Sequence, residues 1–223
     1  MVDRLLADNF DIGAILEALR SLGATSVRCM DEEYRVVLAE EAARCAYRPG
    51  EAVVGSGDRL VRQQLAVADE IPEGGAFSAL RDEFQRLMDG LLSQLEGYPF
   101  ESRLWFNETV LQKYERGSIG ITPHRDHIAY VNLVCIFNLA GRGRFGVAPD
   151  RSGRDARFVD AVPGNVILMR APGFRGARRR PFHFVSDIEE TRYVFGLRQI
   201  RPQEEAIEHA PRPRQLAHAR MNL

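Results

Sequence analysis

His124 and Asp126 stand two residues apart in the run Ile121-Thr122-Pro123-His124-Arg125-Asp126. On an extended chain, residues i and i+2 project to the same face, so an imidazole and a carboxylate are presented together. A third ligand of suitable type follows more than fifty residues later: His183, in the β-prone run Pro181-Phe182-His183-Phe184. Two histidines and one carboxylate on one face of an ion leave adjacent coordination positions open, an arrangement suited to non-haem Fe(II) that activates oxygen. His-x-Asp alone is a common chance tripeptide; the lone later histidine in a strand-rich half gives it weight. His127, next to Asp126, points to the other face of a strand and is expected to pack or support rather than ligate.

A second constellation lies in Arg192-Tyr193-Val194-Phe195-Gly196-Leu197-Arg198. The alternation puts Arg192, Val194, Gly196 and Arg198 on one face. Two arginines facing into a barrel are costly without anionic partners. A bound dicarboxylate would supply them through paired charge-assisted hydrogen bonds; salt bridges to Asp or Glu at the barrel mouth are the bland alternative. One of the two arginines should be the clamp.

These residues need a scaffold that faces strands inward. After Phe100 the chain breaks into short β-like runs: Arg103–Phe106, Thr109–Tyr114, Ile119–Thr122, Tyr130–Asn138, Arg144–Val147, Arg157–Val162, Asn165–Arg170, Phe182–Val185 and Arg192–Arg198. That many short strands with turn signals between them predict a sandwich or barrel. Before Phe100 the periodicity is helical. Ile12, Ile15, Leu16, Leu19 and Leu22 share a face that Gly23 closes, and Asp31 can cap a second helix running to Pro49-Gly50. Phe77, Leu80, Phe84, Leu87, Met88, Leu91, Leu92 and Leu95 form the longest stripe, that of a helix laid on a sheet. Arg59 to Val67 could be extended. Helices first and strands afterwards mean α+β. We expect one domain over residues 1–223: a mainly helical layer (1–100), a β core (101–200) and a loose tail (201–223) containing His209 and His218.

Composition sets the outer limits. Apolar residues at 45% and charged residues at 27% are those of a globular chain. Thirty basic against thirty-one acidic residues leave a net charge of −1, which argues against a strongly cationic nucleic-acid binder. Lys113 is the single lysine among the basic residues. Cys29, Cys45 and Cys135 are odd in number and in no CxxC pattern, so neither a disulfide framework nor a structural zinc site is expected. No apolar run is long enough to span a membrane, and a reduced cytoplasm is the expected compartment.

Taken together, Tyr114, Gly117, Ile121, His124 and Asp126, with Arg192, Tyr193, Arg198 and Gln199 later, resemble the AlkB-like branch of the Fe(II)/2-oxoglutarate dioxygenases. The resemblance covers about Thr109 to Gln199. It implies a double-stranded β-helix (jelly roll) with helices buttressing one sheet. It also implies that the catalytic centre is Fe(II) on His124, Asp126 and His183. Arg192 would clamp the distal carboxylate of 2-oxoglutarate, helped by Tyr114, and Arg198 would lie nearer the metal. Gln112 stands in the same pocket, where that branch commonly has Asn. The implied reaction consumes O2 and 2-oxoglutarate, releases succinate and carbon dioxide, and hydroxylates or oxidatively demethylates a substrate. With Asp at position 126 there is no vacancy for a halide ligand.

The substrate is expected to be a small molecule, for the chain departs from the base-repair pattern. His127-Ile128 follow the His-x-Asp where acidic residues are usual, Val194 stands where Asn is common, and His183 to Arg192 is a short gap. Oxidative demethylation of nucleic acid bases is the alternative, and a non-catalytic metal-binding barrel is a third reading that an internal carboxylate clamp argues against. Arg103, Trp105 and Asn107 are candidate substrate-wall residues, with one of Trp105 and Phe106 expected to face inward. Arg175, Arg178, Arg179 and Arg180 form a basic loop that should reach the barrel mouth and could steer an anionic substrate.

Overall fold

The structure, a computed structural model, describes residues 6, 10–68, 70–71 and 74–201. The expected tail beyond Arg201, with His209 and His218, lies outside the described residues. In chain order the elements are α1 (Ile12–Ser21), β1 (Ala24–Arg28), α2 (Glu32–Arg44), β2 (Arg48–Pro49), β3 (Val53–Val54), β4 (Val61–Gln64), β5 (Ala66–Ala68) and α3 (Ala76–Ser93). Then follow β6 (Glu108–Tyr114), β7 (Gly120–His124), β8 (Tyr130–Ala140), β9 (Arg144–Ala148), β10 (Arg157–Val159), β11 (Asn165–Arg170), β12 (Phe182–Ser186) and β13 (Arg192–Ile200).

Local chemistry sets most boundaries. The Asp11 carboxylate accepts from the Ala14 amide, and Asp31 accepts from Glu33 and Tyr34, so both helices start on an acidic cap. Gly23, at φ +95°, turns the chain from α1 directly into β1. The second helix is shorter than its spacing predicts. Cys45 takes an extended conformation, and the chain beyond it becomes β2, which pairs with β5 rather than continuing to Pro49-Gly50. The expected strand at Arg103–Phe106 does not form. The Gln85 side chain takes the Leu104 carbonyl and the Phe106 amide, Tyr98 Oη accepts from the Leu104 amide, and Gln199 accepts from Trp105. Side chains thus satisfy this segment's backbone in place of a ladder. The run at Arg157–Val162 ends early because Asp160 turns the chain by accepting from the Val162 amide.

Two antiparallel sheets result. The larger has the order β1-β11-β8-β13-β6-β5-β2 and the smaller β10-β9-β12-β7-β4-β3. The eight strands β6 to β13 divide four and four between them, which is the expected jelly roll; β1 and the short strands β2 to β5 extend both sheets from the N-terminal part. Strand alternation makes two cores. Outward-facing Leu133, Cys135, Phe137, Phe195 and Leu197 meet the helices, chiefly Phe77, Leu80, Phe84, Met88 and Leu92 of α3. The Phe84 ring packs edge-on to Phe137 at 5.0 Å and Phe77 lies 4.9 Å from Phe195. Truncating such a ring to alanine costs about 3–5 kcal/mol. Inward-facing Tyr114, Ile121, Val134, Phe145, Ile167, Met169, Val185 and Val194 fill the space between the sheets. The polar centre described next is set into this second core. Among the described residues no helix is long and apolar enough to cross a membrane.

Candidate metal centre

His124 ends β7, and His183 is the second residue of β12. The two strands pair antiparallel with His183 directly opposite His124. Cross-strand partners share a face, and the two imidazoles lie with ring centroids 4.2 Å apart. Gly120 makes this pairing possible: at φ +72° it passes so close to β12 that a Cβ would stand 2.0 Å from the Val185 carbonyl oxygen. Asp126 lies just past the end of β7 and folds back over the pair. Its Oδ1 is 3.8 Å from His124 Nε2 and 3.7 Å from His183 Nε2.

The orientation of each ring is fixed from behind. His124 Nδ1 lies 3.0 Å from the Thr122 carbonyl and His183 Nδ1 lies 3.4 Å from the Pro181 carbonyl. A carbonyl only accepts, so Nδ1 carries the proton and Nε2 turns its lone pair toward Asp126. Phe145 stacks on His183 at 5.6 Å. Burial, with His183 beside it, pushes His124 down to about 4, so it is a neutral ligand at neutral pH. Burial acts to raise the Asp126 carboxyl, but His183, Arg198, His124 and Arg180 outweigh it and hold the group below its ordinary value. Two neutral imidazoles and a carboxylate converge, with all ligand atoms within 4.8 Å of one another. Ligands about 2.0–2.2 Å from a shared ion at right angles lie about 3 Å apart, so a small inward movement closes the set on a cation. The donor set fits Fe(II). His127 is exposed, with its Nδ1 accepting from the Ala129 amide, and it is not part of this group.

The two arginines of β13 differ in their surroundings. Arg192, opposite Tyr114, is 1% exposed. Its guanidinium donates to Asn138 Oδ1 at 2.5 Å and lies over the Tyr114 ring, while its Nε has no partner. Burial pushes this guanidinium below its ordinary value, and only Tyr114 counters. Arg198 also has a buried Nε without a partner, but it has acidic company: Glu108 lies at 3.6 Å, Tyr130 Oη at 3.1 Å, and Asp126 acts on it as well. Burial raises the Tyr114 hydroxyl above its ordinary value, with Arg192 and Arg198 opposing and Asp126 adding to it. Tyr114 Oη donates to Gln112 Oε1 at 3.3 Å. A buried guanidinium with an orphaned Nε and no carboxylate partner among the described residues fits a carboxylate of a bound ligand.

The remaining candidates scatter. Trp105 is 55% exposed whereas Phe106 is buried, so one of the pair does face inward. Arg103 is an exposed partner of Asp89 at 3.4 Å. Asn107 fastens the end of β13, donating to the Ile200 carbonyl and accepting from its amide. Arg175 is exposed, at φ +47° beside Phe174. Sequence reading missed Asn138, Glu108 and Tyr130, the polar partners of the two arginines. An Asn inside the apolar stretch Leu133–Ala140 was the available signal for Asn138.

No protein-family model matches the sequence, and no curated protein matches it. Solved structures do share the fold. A prolyl hydroxylase from Trichoplax adhaerens, in complex with a hypoxia inducible factor oxygen degradation domain peptide, superposes with a TM-score of 0.62 at 14% identity, over 89% of this chain and 92% of that one. An oxidoreductase of the 2OG-Fe(II) oxygenase family from Burkholderia pseudomallei gives 0.58 at 13% identity, over 86% and 92%. OsALKBH1 gives 0.55 at 16% identity, over 79% and 98%.

Proposed function

We propose that this chain is an Fe(II)- and 2-oxoglutarate-dependent dioxygenase that hydroxylates a small-molecule substrate. The observation that carries the reading is a pair of features on the two sheets of the jelly roll: the His124, Asp126 and His183 set on β7, β12 and the loop after β7, and the acid-free, buried guanidinium of Arg192 on β13 of the other sheet. A structural metal site has no use for a buried arginine without a carboxylate; an oxygenase that must hold a dicarboxylate beside its metal does. The fold shared with a 2OG-Fe(II) oxygenase supports the same reading.

His124, Asp126 and His183 would hold the iron, which when bound supplies the oxidising power for oxygen-dependent decarboxylation of 2-oxoglutarate and oxidation of a C–H bond. The protein's own part is positional. Thr122 and Pro181 carbonyls keep both Nε2 lone pairs aimed at the ion. Arg192, braced by Asn138, holds the distal carboxylate of 2-oxoglutarate, and the Tyr114 hydroxyl turns its proton from Gln112 Oε1 to that carboxylate. Arg198, anchored by Glu108 and Tyr130, balances Asp126 and faces the end of the cosubstrate nearer the metal. Phe145, Val134, Met169 and Val194 exclude water from the centre.

The test is an anaerobic titration of purified protein with Fe(II) and then 2-oxoglutarate, followed by the visible charge-transfer band of the chelate. A saturable band at one equivalent, with succinate released on admitting oxygen, is the expected result. Iron bound without a band overturns the oxygenase reading.

A further inference from the structure

The two ends of the jelly roll differ in charge. The strand registers bring the starts of β6, β8 and β12 and the ends of β7, β9, β11 and β13 to the end that carries the metal ligands. The connecting segments there, 98–107, 125–129, 149–156 and 171–181, hold eight arginines and four acids, one of them the ligand Asp126. Those at the far end, 115–119, 141–143, 160–164 and 187–191, hold two arginines and five acids. A chain of net charge −1 is thus positive at one pole and negative at the other.

Two segments of the positive pole are fastened together. The Arg175 amide donates to the Pro99 carbonyl at 2.7 Å, the Glu101 amide donates to the Gly173 carbonyl at 2.8 Å, and the Phe100 and Phe174 rings lie 6.0 Å apart. Phe174 is buried and pins the loop, while Arg175, Arg178 and Arg179 after it are exposed. Among the described residues none of these three forms an ion pair. Glu17, which feels Arg175, is held by Arg20 at 2.6 Å. Beside the loop, Tyr98 is nearly half exposed and Trp105 more than half. Tyr98 Oη accepts from the Leu104 amide at 2.7 Å and Gln199 accepts from the Trp105 amide, so the tryptophan stands out from a fixed backbone. Ile128, in the loop after β7, is also more than half exposed.

One exposed apolar side chain needs no explanation. A tryptophan, a tyrosine and an isoleucine held out at the same end as an acid-free arginine loop call for a partner that rewards both kinds of group. Trp and Tyr rings, apolar in body and polar at the tip, suit the headgroup level of a bilayer. An aliphatic residue gains by entering the acyl boundary, a gain that a nucleic acid or an acidic peptide does not offer. Arginine forks meet lipid phosphates with paired hydrogen bonds. We propose that the metal-end face formed by Tyr98, Trp105, Ile128 and the 175–179 loop docks on an anionic phospholipid surface. This is adsorption through one face and needs no spanning segment. It stands whether or not the centre is an oxygenase. The basic pole meets the bilayer and the acidic pole turns away from it.

The test uses the full chain and the emission of Trp105, its single tryptophan. Vesicles of equal parts phosphatidylglycerol and phosphatidylcholine should move the emission to the blue in a saturable way, and added salt should weaken the effect. Vesicles of phosphatidylcholine alone should leave it in place. The double variant Arg178→Gln/Arg179→Gln should weaken adsorption about twenty-five-fold, about fivefold for each arginine. Trp105→Ala, followed by co-sedimentation, should weaken it about tenfold. Arg142→Gln, at the far end, should change nothing. No shift on anionic vesicles, an equal shift on neutral ones, or an equal loss with Arg142→Gln overturns the docking face. Oligothymidylate and polyglutamate form two further arms. Saturable binding of either, without a blue shift on vesicles, assigns the face to that polyanion and overturns the lipid surface. The chelate band of the double variant should match that of the parent; its loss would place these arginines in the metal centre instead.

Discussion

Replacing Arg192 with methionine separates the cost of a buried charge from its use. Without ligands the guanidinium is enclosed, braced by Asn138 and the Tyr114 ring, with one nitrogen unpartnered. Such an uncompensated ion costs several kcal/mol even after relaxation. Methionine has similar reach and no charge, and its one debit is an Asn138 oxygen left without a donor, about 1–3 kcal/mol. The balance favours Arg192→Met by about 1 kcal/mol or more, a rise of about 2–4 °C in Tm for a domain of this size. With 2-oxoglutarate the sign reverses. Two charge-assisted hydrogen bonds at about 1.5–3 kcal/mol each are lost, which weakens the cosubstrate by about a hundredfold to ten-thousandfold. Thermal unfolding of the ligand-free protein and titration of the chelate band read the two effects independently, and iron affinity should hardly move. A variant that melts lower and still binds 2-oxoglutarate normally would show Arg192 to be a structural residue. If Arg198→Met produces the loss instead, the clamp is the other arginine.

His183→Ala should abolish Fe(II) binding while the far-ultraviolet circular dichroism stays native; calorimetry with Fe(II) under nitrogen checks it, and retained affinity would remove His183 from the centre. His127→Ala, by contrast, should leave iron affinity within a few-fold in the same titration. Gly120→Ala should cost more than the ~1–2 kcal/mol of left-handed backbone alone, because its Cβ meets the Val185 carbonyl, and iron should be lost with the strand pairing. pH dependence follows from His124. The unfolded chain takes up this proton near 6.5 and the folded metal-free chain only near 4, so the unfolded state binds more protons in between. Stability from this group is therefore complete above about pH 6.5 and declines as pH falls toward 4; chemical denaturation at pH 7 and pH 5 should show the difference, and His124→Gln should flatten it.

What the sequence disclosed depended on how far apart the cooperating residues lie. His-x-Asp, the alternating arginines and the α3 stripe are local patterns, and each is where its spacing placed it. β1 was not foreseen because Ala-Thr-Ser-Val-Arg carries little apolar alternation; its strand character comes from pairing with β11, some 140 residues on. Arg103–Phe106 reads as a strand until Gln85, Tyr98 and Gln199 are known to occupy its backbone. The difference between the two arginines of β13 was also hidden, since Asn138 and Glu108 meet them only through the register of β8 and β6. Periodicity tells which face a side chain takes, and only tertiary pairing tells what waits there.

The pairing of β7 with β12 has a bearing on how the chain folds. Strands joined by a tight turn inherit their alignment from it, but these two are separated by some sixty residues and no turn aligns them. A slip of one residue would carry His183 to the outer face and bring a phenylalanine in its place. The two imidazoles that face each other across the gap lie together in one alignment alone. A metal ion seated between them acts as a rivet, selecting that alignment from its neighbours, so the centre would guide assembly of the molecule before it serves any reaction.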